Sequence, residues 1–137
     1  MSGLDSLIRL HRWKLEEKRR VLADLESLMD ELRTRAGDLE VEILDEQKAA
    51  AGSEEAGFAY AAYATQAIHR RGILAQSAAE LEGKIEAARD DIKEAFQEAK
   101  KYEIAQERKL ERERIVMARR ERIAEDDVAL DIFRRKS

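Results

Sequence analysis

Apolar residues recur in alternating steps of four and three along the first 50 residues, a spacing typical of a coiled coil. The core positions of this repeat are Leu4, Ile8, His11, Leu15, Lys18, Leu22, Leu25, Met29, Leu32, Ala36, Leu39, Ile43, Glu46 and Ala50. Residues 22–43 form its most apolar part, because His11, Lys18 and Glu46 are polar. The pattern predicts a long helix that buries one narrow stripe against a partner helix.

A second repeat with the same spacing follows between residues 60 and 102. Its core positions are Tyr60, Ala64, Ala67, Arg71, Leu74, Ala78, Leu81, Ile85, Ala88, Ile92, Ala95, Ala99 and Tyr102. Many of these are alanines, which bury little surface but let two helices approach closely. The two stripes are therefore expected to pack against each other as a slender pair.

The stretch between the repeats, AAAGSEEAG, carries the signals of a turn. Glycine costs about 1 kcal/mol relative to alanine inside a helix, and serine followed by two glutamates suits a helix start. We predict one helix over about 3–50, a turn over about 51–57 and a second helix over about 58–134.

The predicted fold class is all-α. We expect the whole chain, residues 1–137, to form a single domain, a long antiparallel coiled-coil hairpin of two helices with unequal arms. The alternative is two continuous helices that are joined by a mild kink and do not fold back on each other. In the hairpin Leu4 lies opposite a residue near 104, so the second helix overhangs the first. The overhanging stretch RKLERERIVMARRERIAEDD is highly charged, and its heptad phase slips by one residue.

The composition supports long helices rather than a globule. Charged residues make up 41% of the chain and aromatic residues 5%, and proline and cysteine are absent. The formal net charge of −4, with both signs interspersed, argues against a general nucleic-acid binder. No apolar run approaches the roughly 20 residues of a membrane span, and the N-terminus is too charged for a signal peptide. We expect a soluble cytoplasmic protein.

The sequence offers no catalytic constellation. It has no glycine-rich phosphate loop, no HExxH motif and no cysteine cluster. His11 falls on the apolar stripe and His69 on the outward side, while Asp126 and Asp127 form an exposed acidic pair. A continuous helix gives carboxylates no cleft that would shift their pKa values. We expect no enzyme activity, no catalytic residue, no metal site and no cofactor.

Outward-facing hydrophobic residues near the start suggest a binding surface. Leu10 and Trp13 fall away from the apolar stripe, and exposed aromatic side chains are typical anchors of protein interfaces. Trp13 either contacts a partner or is covered by the overhanging helix. Near the end of the chain, Ile132 and Phe133 beside two arginines form a smaller candidate anchor.

A second candidate patch follows the turn, in the stretch FAYAAY. Tyr60 belongs to the apolar stripe of the second repeat. Phe58 and Tyr63 are expected to point away from that stripe. They would either form a contact surface or cap the turn.

The chain resembles the flagellar export protein FliJ family along nearly its full length. The resemblance rests on LIRLHRWKLEEKRRVLADLE near the start, unequal arms, AYAAYA after the turn and AEDDVALDIFRR at the end. The family commonly has Asp-Glu where this chain has Asp126 and Asp127, and the charge is the same. Members of the family are antiparallel hairpins similar to the rotary stalk of the F1 ATPase.

The resemblance implies partners that the spacing of residues does not. The protein would bind the hexameric flagellar export ATPase, promote its assembly and activity, link it to the export gate protein FlhA and bind export chaperones. It would be cytoplasmic and peripheral to the inner membrane at the flagellar basal body, touching the membrane only through the export apparatus. The implied ring contacts are Leu10, Trp13, Met117, Arg119, Arg120 and Arg122; the implied gate contacts are Phe58, Tyr60 and Tyr63.

Two other functions stay open from the sequence. A structural coiled coil could dimerise through its overhang, which would make sedimentation depend on concentration. An RNA-binding arm, like those by which some tRNA synthetases hold tRNA, is favoured by the basic residues of 108–122 and opposed by the net negative charge. Affinity for RNA that falls steeply with salt would indicate such an arm.

Overall fold

The computed structural model describes residues 3–136, which form two helices and no strand. Helix α1 spans Gly3–Ala50 and helix α2 spans Glu54–Lys136. Apolar side chains of α1 and α2 pack together, so the predicted all-α hairpin is confirmed and the kinked alternative is wrong. None of the described helices is both long and apolar enough to cross a lipid bilayer.

The turn is shorter than predicted and occupies residues 51–53. Helix α2 begins at Glu54 rather than near residue 58, because Ser53 caps it: the Ala56 N–H donates to Ser53 Oγ at 3.0 Å. Gly57 lies inside the first turn of the helix, where its N–H donates to the Ser53 carbonyl. Within the described residues no glycine has a positive φ, so the reversal does not depend on left-handed backbone.

The core follows the predicted stripes closely. Among the described residues, every buried hydrophobic side chain lies at a predicted core position of one repeat or the other. They are Ile8, Leu15, Met29, Leu39, Ile43, Ala67, Leu81, Ile85, Ala88 and Ala99. Met29, Leu81 and Ile85 form one cluster, and a second is built from Leu39, Ile43 and Ala67. The core is a thin seam, because each helix buries only one edge.

Polar residues at core positions are accommodated by partners across the seam. The His11 ring stacks on Tyr102 with centroids 4.6 Å apart. The Arg71 guanidinium donates two hydrogen bonds to Glu40, at 2.7 and 2.9 Å. Such exposed pairs add little free energy, but they favour this alignment of the helices over a shifted one.

Contacts group the chain into two compact units. One unit is Leu15–Glu94, which contains the turn and both apolar clusters. The other combines Met1–Lys14 with Ala95–Ser137, that is, the start of α1 and the second half of α2.

Candidate partner-binding surfaces

Helix α2 continues far beyond the start of α1. The Gln106 side-chain amide donates to Asp5, which is preceded by only two described residues of α1. Every residue from 107 to 136 is exposed, and we call this segment the overhang. No second helix covers the overhang, and it is the longest run of exposed residues in the part of the chain that the structure describes.

Apart from Ile115 and Phe133, the large apolar side chains of the overhang lie on two separate sides of the helix. At about 100° per residue, they form two stripes roughly 140° apart. The first stripe contains Leu110, Met117, Val128 and Ile132, and the second contains Val116, Ile123 and Leu130. A single partner helix would cover only one stripe, so the arrangement suits contacts from more than one direction.

Charge along the overhang is divided into blocks. Residues 108–122 contain seven basic and three acidic side chains, whereas 123–131 contain four acids and no base. An ion pair joins Glu111 to Arg114 at 2.6 Å, and this hydrogen bond lowers the pKa of Glu111. The basic block therefore presents most of its guanidinium groups to solvent, where an acidic partner surface could meet them.

The residues predicted to contact the ATPase ring lie in two locations. Leu10 and Trp13 lie on α1, near the level of His11 and of Tyr102, on which His11 stacks. Met117 lies fifteen residues farther along α2 than Tyr102, about 22 Å along the helix axis. Arg119, Arg120 and Arg122 follow Met117 on the overhang, and all three are exposed. These residues do not form one patch.

Trp13 is the most exposed large hydrophobic residue of α1 among those the structure describes. Its side chain is 60% exposed, so the overhang does not cover it, and the exposed Leu10 lies about 60° from it around the helix. Next to it, the Arg12 guanidinium donates to Glu103 at 2.9 Å, which lowers the pKa of Glu103. This ion pair joins the two helices beside Trp13 and holds the surface in place.

The aromatic residues after the turn have different environments. Phe58 is 79% exposed, whereas Tyr60 and Tyr63 are half-buried, with ring centroids 6.2 Å apart. The expectation that Tyr63 points away from the seam is wrong, because it packs against the cluster of Leu39 and Ile43. Phe58 is therefore the most exposed of the three aromatic side chains.

A polar network fixes Tyr63 in this position. Its hydroxyl donates to Glu42 Oε2 at 2.7 Å, and the Arg70 guanidinium donates to the same oxygen at 2.8 Å. Partial burial raises the pKa of Tyr63 to about 12, and the bond to Glu42 adds to the shift. The same bond lowers the pKa of Glu42. Tyr63 thus links the two helices of the hairpin close to the turn.

Residues 3–136 contain no group of three or more histidine, cysteine or carboxylate side chains that could hold a metal ion.

The second stripe of the overhang was not predicted from the sequence. Its signal is present, since Val116, Ile123 and Leu130 are spaced by seven, but charged residues fill the positions between them.

Comparison with known proteins identifies the family. A family model described as Flagellar FliJ protein matches residues 1–137, which is the whole chain. Searches of the curated proteins and of the solved structures found no significant match. The full-length match agrees with the resemblance of the start, the turn and the tail. The chain therefore belongs to the FliJ family, an accessory component of flagellar type III protein export.

Proposed function

We propose that this protein is a stalk that binds the hexameric flagellar export ATPase and promotes its assembly and activity. In this proposal it also couples the ATPase ring to the export gate protein FlhA and to export chaperones. It would work in the cytoplasm, at the inner-membrane face of the flagellar basal body. The observation that carries the proposal is the overhang, a helix of thirty described residues whose side chains are all exposed.

The two apolar stripes of the overhang support a partner that surrounds the helix. Because they lie roughly 140° apart, a partner must approach from several sides to cover both. The lumen of a ring does so, while a flat surface or one helix does not. Binding a ring but not its separate subunits would shift the assembly equilibrium toward the hexamer by mass action.

Mixed charge on the overhang suits repeated, reversible contact. Isolated surface ion pairs contribute at most about 1 kcal/mol each and are weakened by salt. A shaft that touches ring subunits through such pairs would not be held tightly by any one of them. Arg119, Arg120 and Arg122 are the proposed ionic contacts, and Met117 is the proposed apolar contact between them and Leu110.

Removal of the overhang tests this function. We expect a chain truncated after Glu107 to lose association with the export ATPase, because the overhang is removed. The truncated chain should still fold, since residues 3–106 keep the paired part of the hairpin. The measurement is co-migration with the ATPase in size-exclusion chromatography with a non-hydrolysable nucleotide. Circular dichroism of the truncated chain checks that its helices remain. Unchanged association of a folded, truncated chain would contradict the proposed role of the overhang.

Phe58 is the proposed anchor for the export gate, because its side chain is 79% exposed close to the turn. We expect Phe58→Ala to weaken binding of the cytoplasmic domain of FlhA by about tenfold or more. Phe133→Ala is a matched control, since Phe133 is 72% exposed and lies on the overhang. Equal binding of FlhA by the wild type and Phe58→Ala in titration calorimetry would exclude this surface.

A further inference from the structure

The second stripe of the overhang is symmetric about its central residue. Val116 lies seven residues before Ile123 and Leu130 lies seven residues after it, so both are about 10.5 Å from Ile123 along the helix. All three side chains are exposed. If a second copy of the helix runs antiparallel with Ile123 facing Ile123, Val116 of each copy meets Leu130 of the other.

Charged residues flank this stripe in a complementary order. Arg119 and Asp126 lie on one flank, and Arg120 and Asp127 lie on the other, each roughly 40 to 60° from the stripe. None of these four side chains forms an ion pair with another residue of the described chain, 3–136. Their charges are therefore available to a partner.

A twofold axis that passes between the two copies of Ile123, perpendicular to both helices, places opposite charges next to each other. Such an axis reverses the direction of the helix but keeps each residue on its own flank. Arg119 is four residues from the axis and Asp126 is three, so their levels in the two copies differ by only about 1.5 Å. The same holds for Arg120 and Asp127. Each flank then carries two Arg–Asp pairs between the copies, four in all.

Alternative pairings are less favourable. In a parallel, in-register pair, opposite flanks of the two copies adjoin, so Arg119 would lie beside Arg120 of the other copy and Asp126 beside Asp127, and like charges would repel. Beyond the symmetric core, Arg112 and Arg134 are both eleven residues from Ile123 and meet as like charges in the antiparallel pair. This repulsion limits the interface to residues 116–130, so it is small and the dimer dissociates readily.

We propose that the overhang self-associates with a second copy of this chain as an antiparallel dimer, held by Val116, Ile123 and Leu130 and by the flanking Arg–Asp pairs. The interface is isologous, as a twofold dimer requires. The proposal does not depend on the ATPase. Dimerisation and the proposed binding to the ATPase ring would compete, because both use Arg119 and Arg120.

Sedimentation equilibrium of full-length variants tests the dimer and its register. We expect a reversible dimer in the wild type that weakens with added salt. Arg119→Asp/Arg120→Asp and Asp126→Arg/Asp127→Arg should each weaken it by about tenfold or more, since attraction becomes repulsion on both flanks. Mixing the two variants should restore it, because aspartates of one copy then face arginines of the other. Arg33→Asp/Arg35→Asp is the control for the first variant, with the same change in net charge, and should dimerise like the wild type.

Cross-linking tests the position of the axis. The chain has no cysteine, so a single Ile123→Cys substitution places one thiol per chain at the axis, where facing backbones approach within disulfide range. We expect rapid disulfide formation there and little with Ala118→Cys, which lies on the opposite side of the helix. A wild type that remains monomeric up to about 1 mM, a mixture that stays monomeric, or preferential cross-linking at position 118 would overturn the proposal.

Discussion

At the scale of single residues, the hydrogen bond between Tyr63 and Glu42 has the clearest chemical consequence. It favours the protonated phenol and the ionised carboxylate: partial burial together with this bond raises the pKa of Tyr63 to about 12, and the bond lowers the pKa of Glu42. The contribution of Tyr63 to stability is present below the pKa of an unfolded tyrosine and is lost as pH rises through the folded value. The contribution of Glu42 is present above its unfolded pKa and is lost as pH falls through its folded value.

We expect Tyr63→Phe to remove a titration step near pH 12 from the ultraviolet absorbance of tyrosinate, because the bond to Glu42 and partial burial stabilise the phenol. Glu42→Gln is the companion variant. It removes the negative charge that opposes phenolate formation, so it should lower the midpoint of that step. A wild-type titration that contains no step above the ordinary range of tyrosine would contradict this environment.

Tyr63 also shows where heptad reasoning stops at the residue scale. It precedes the core residue Ala64 and so lies beside the seam, where the pattern assigns an outward direction. Its long side chain nevertheless reaches the opposite helix, because alanines around it leave space and Glu42 accepts its hydroxyl proton in a hydrogen bond. The pattern encodes the position of the backbone, whereas the partner of a long polar side chain depends on the alignment of both helices.

At the scale of elements, stability depends on the seam between the helices. Ile85 is 4% exposed in one of the two clusters, whereas Ile123 is 61% exposed on the overhang. We expect Ile85→Ala to lower the free energy of unfolding by about 2–4 kcal/mol, because it removes buried methyl groups and leaves a cavity. Thermal unfolding followed by circular dichroism is the measurement.

Ile123→Ala is the control, since the same change on an exposed side chain should alter stability by less than about 0.5 kcal/mol. Both variants should be compared at low protein concentration, so that self-association of the overhang does not contribute. Equal destabilisation by the two substitutions would mean that the overhang is packed and that the seam is not where the hairpin gains its stability.

Most of the helical architecture was predictable from the sequence. Steps of four and three identify core positions such as Met29, Leu39 and Leu81, because only one edge of each helix meets its neighbour. The start of α2 was less predictable. Glycine in the stretch after residue 51 suggested a longer turn, but the cap provided by Ser53 and the acidic first turn outweigh the cost of Gly57 inside the helix.

At the scale of the whole molecule, the family match indicates the function, whereas the periodicity of the sequence does not. Periodicity predicts a helix without a partner after residue 106, but many proteins could bind such a helix. The full-length family match connects the chain to flagellar export. The second stripe remained unpredicted because two stripes on opposite sides cancel each other in any search for one apolar face. Charged residues such as Arg119 and Arg120 between its members weaken the signal further.

The most direct test of the proposed stalk is ATP hydrolysis by the cognate export ATPase across a range of enzyme concentrations, with and without the full-length protein. We predict that stimulation is largest at low enzyme concentration, where hexamers are scarce and binding of the overhang shifts assembly most. The chain truncated after Glu107 should give no stimulation at any concentration. Equal stimulation by the truncated chain, or hydrolysis unaffected by the full-length protein at every concentration, would contradict the account.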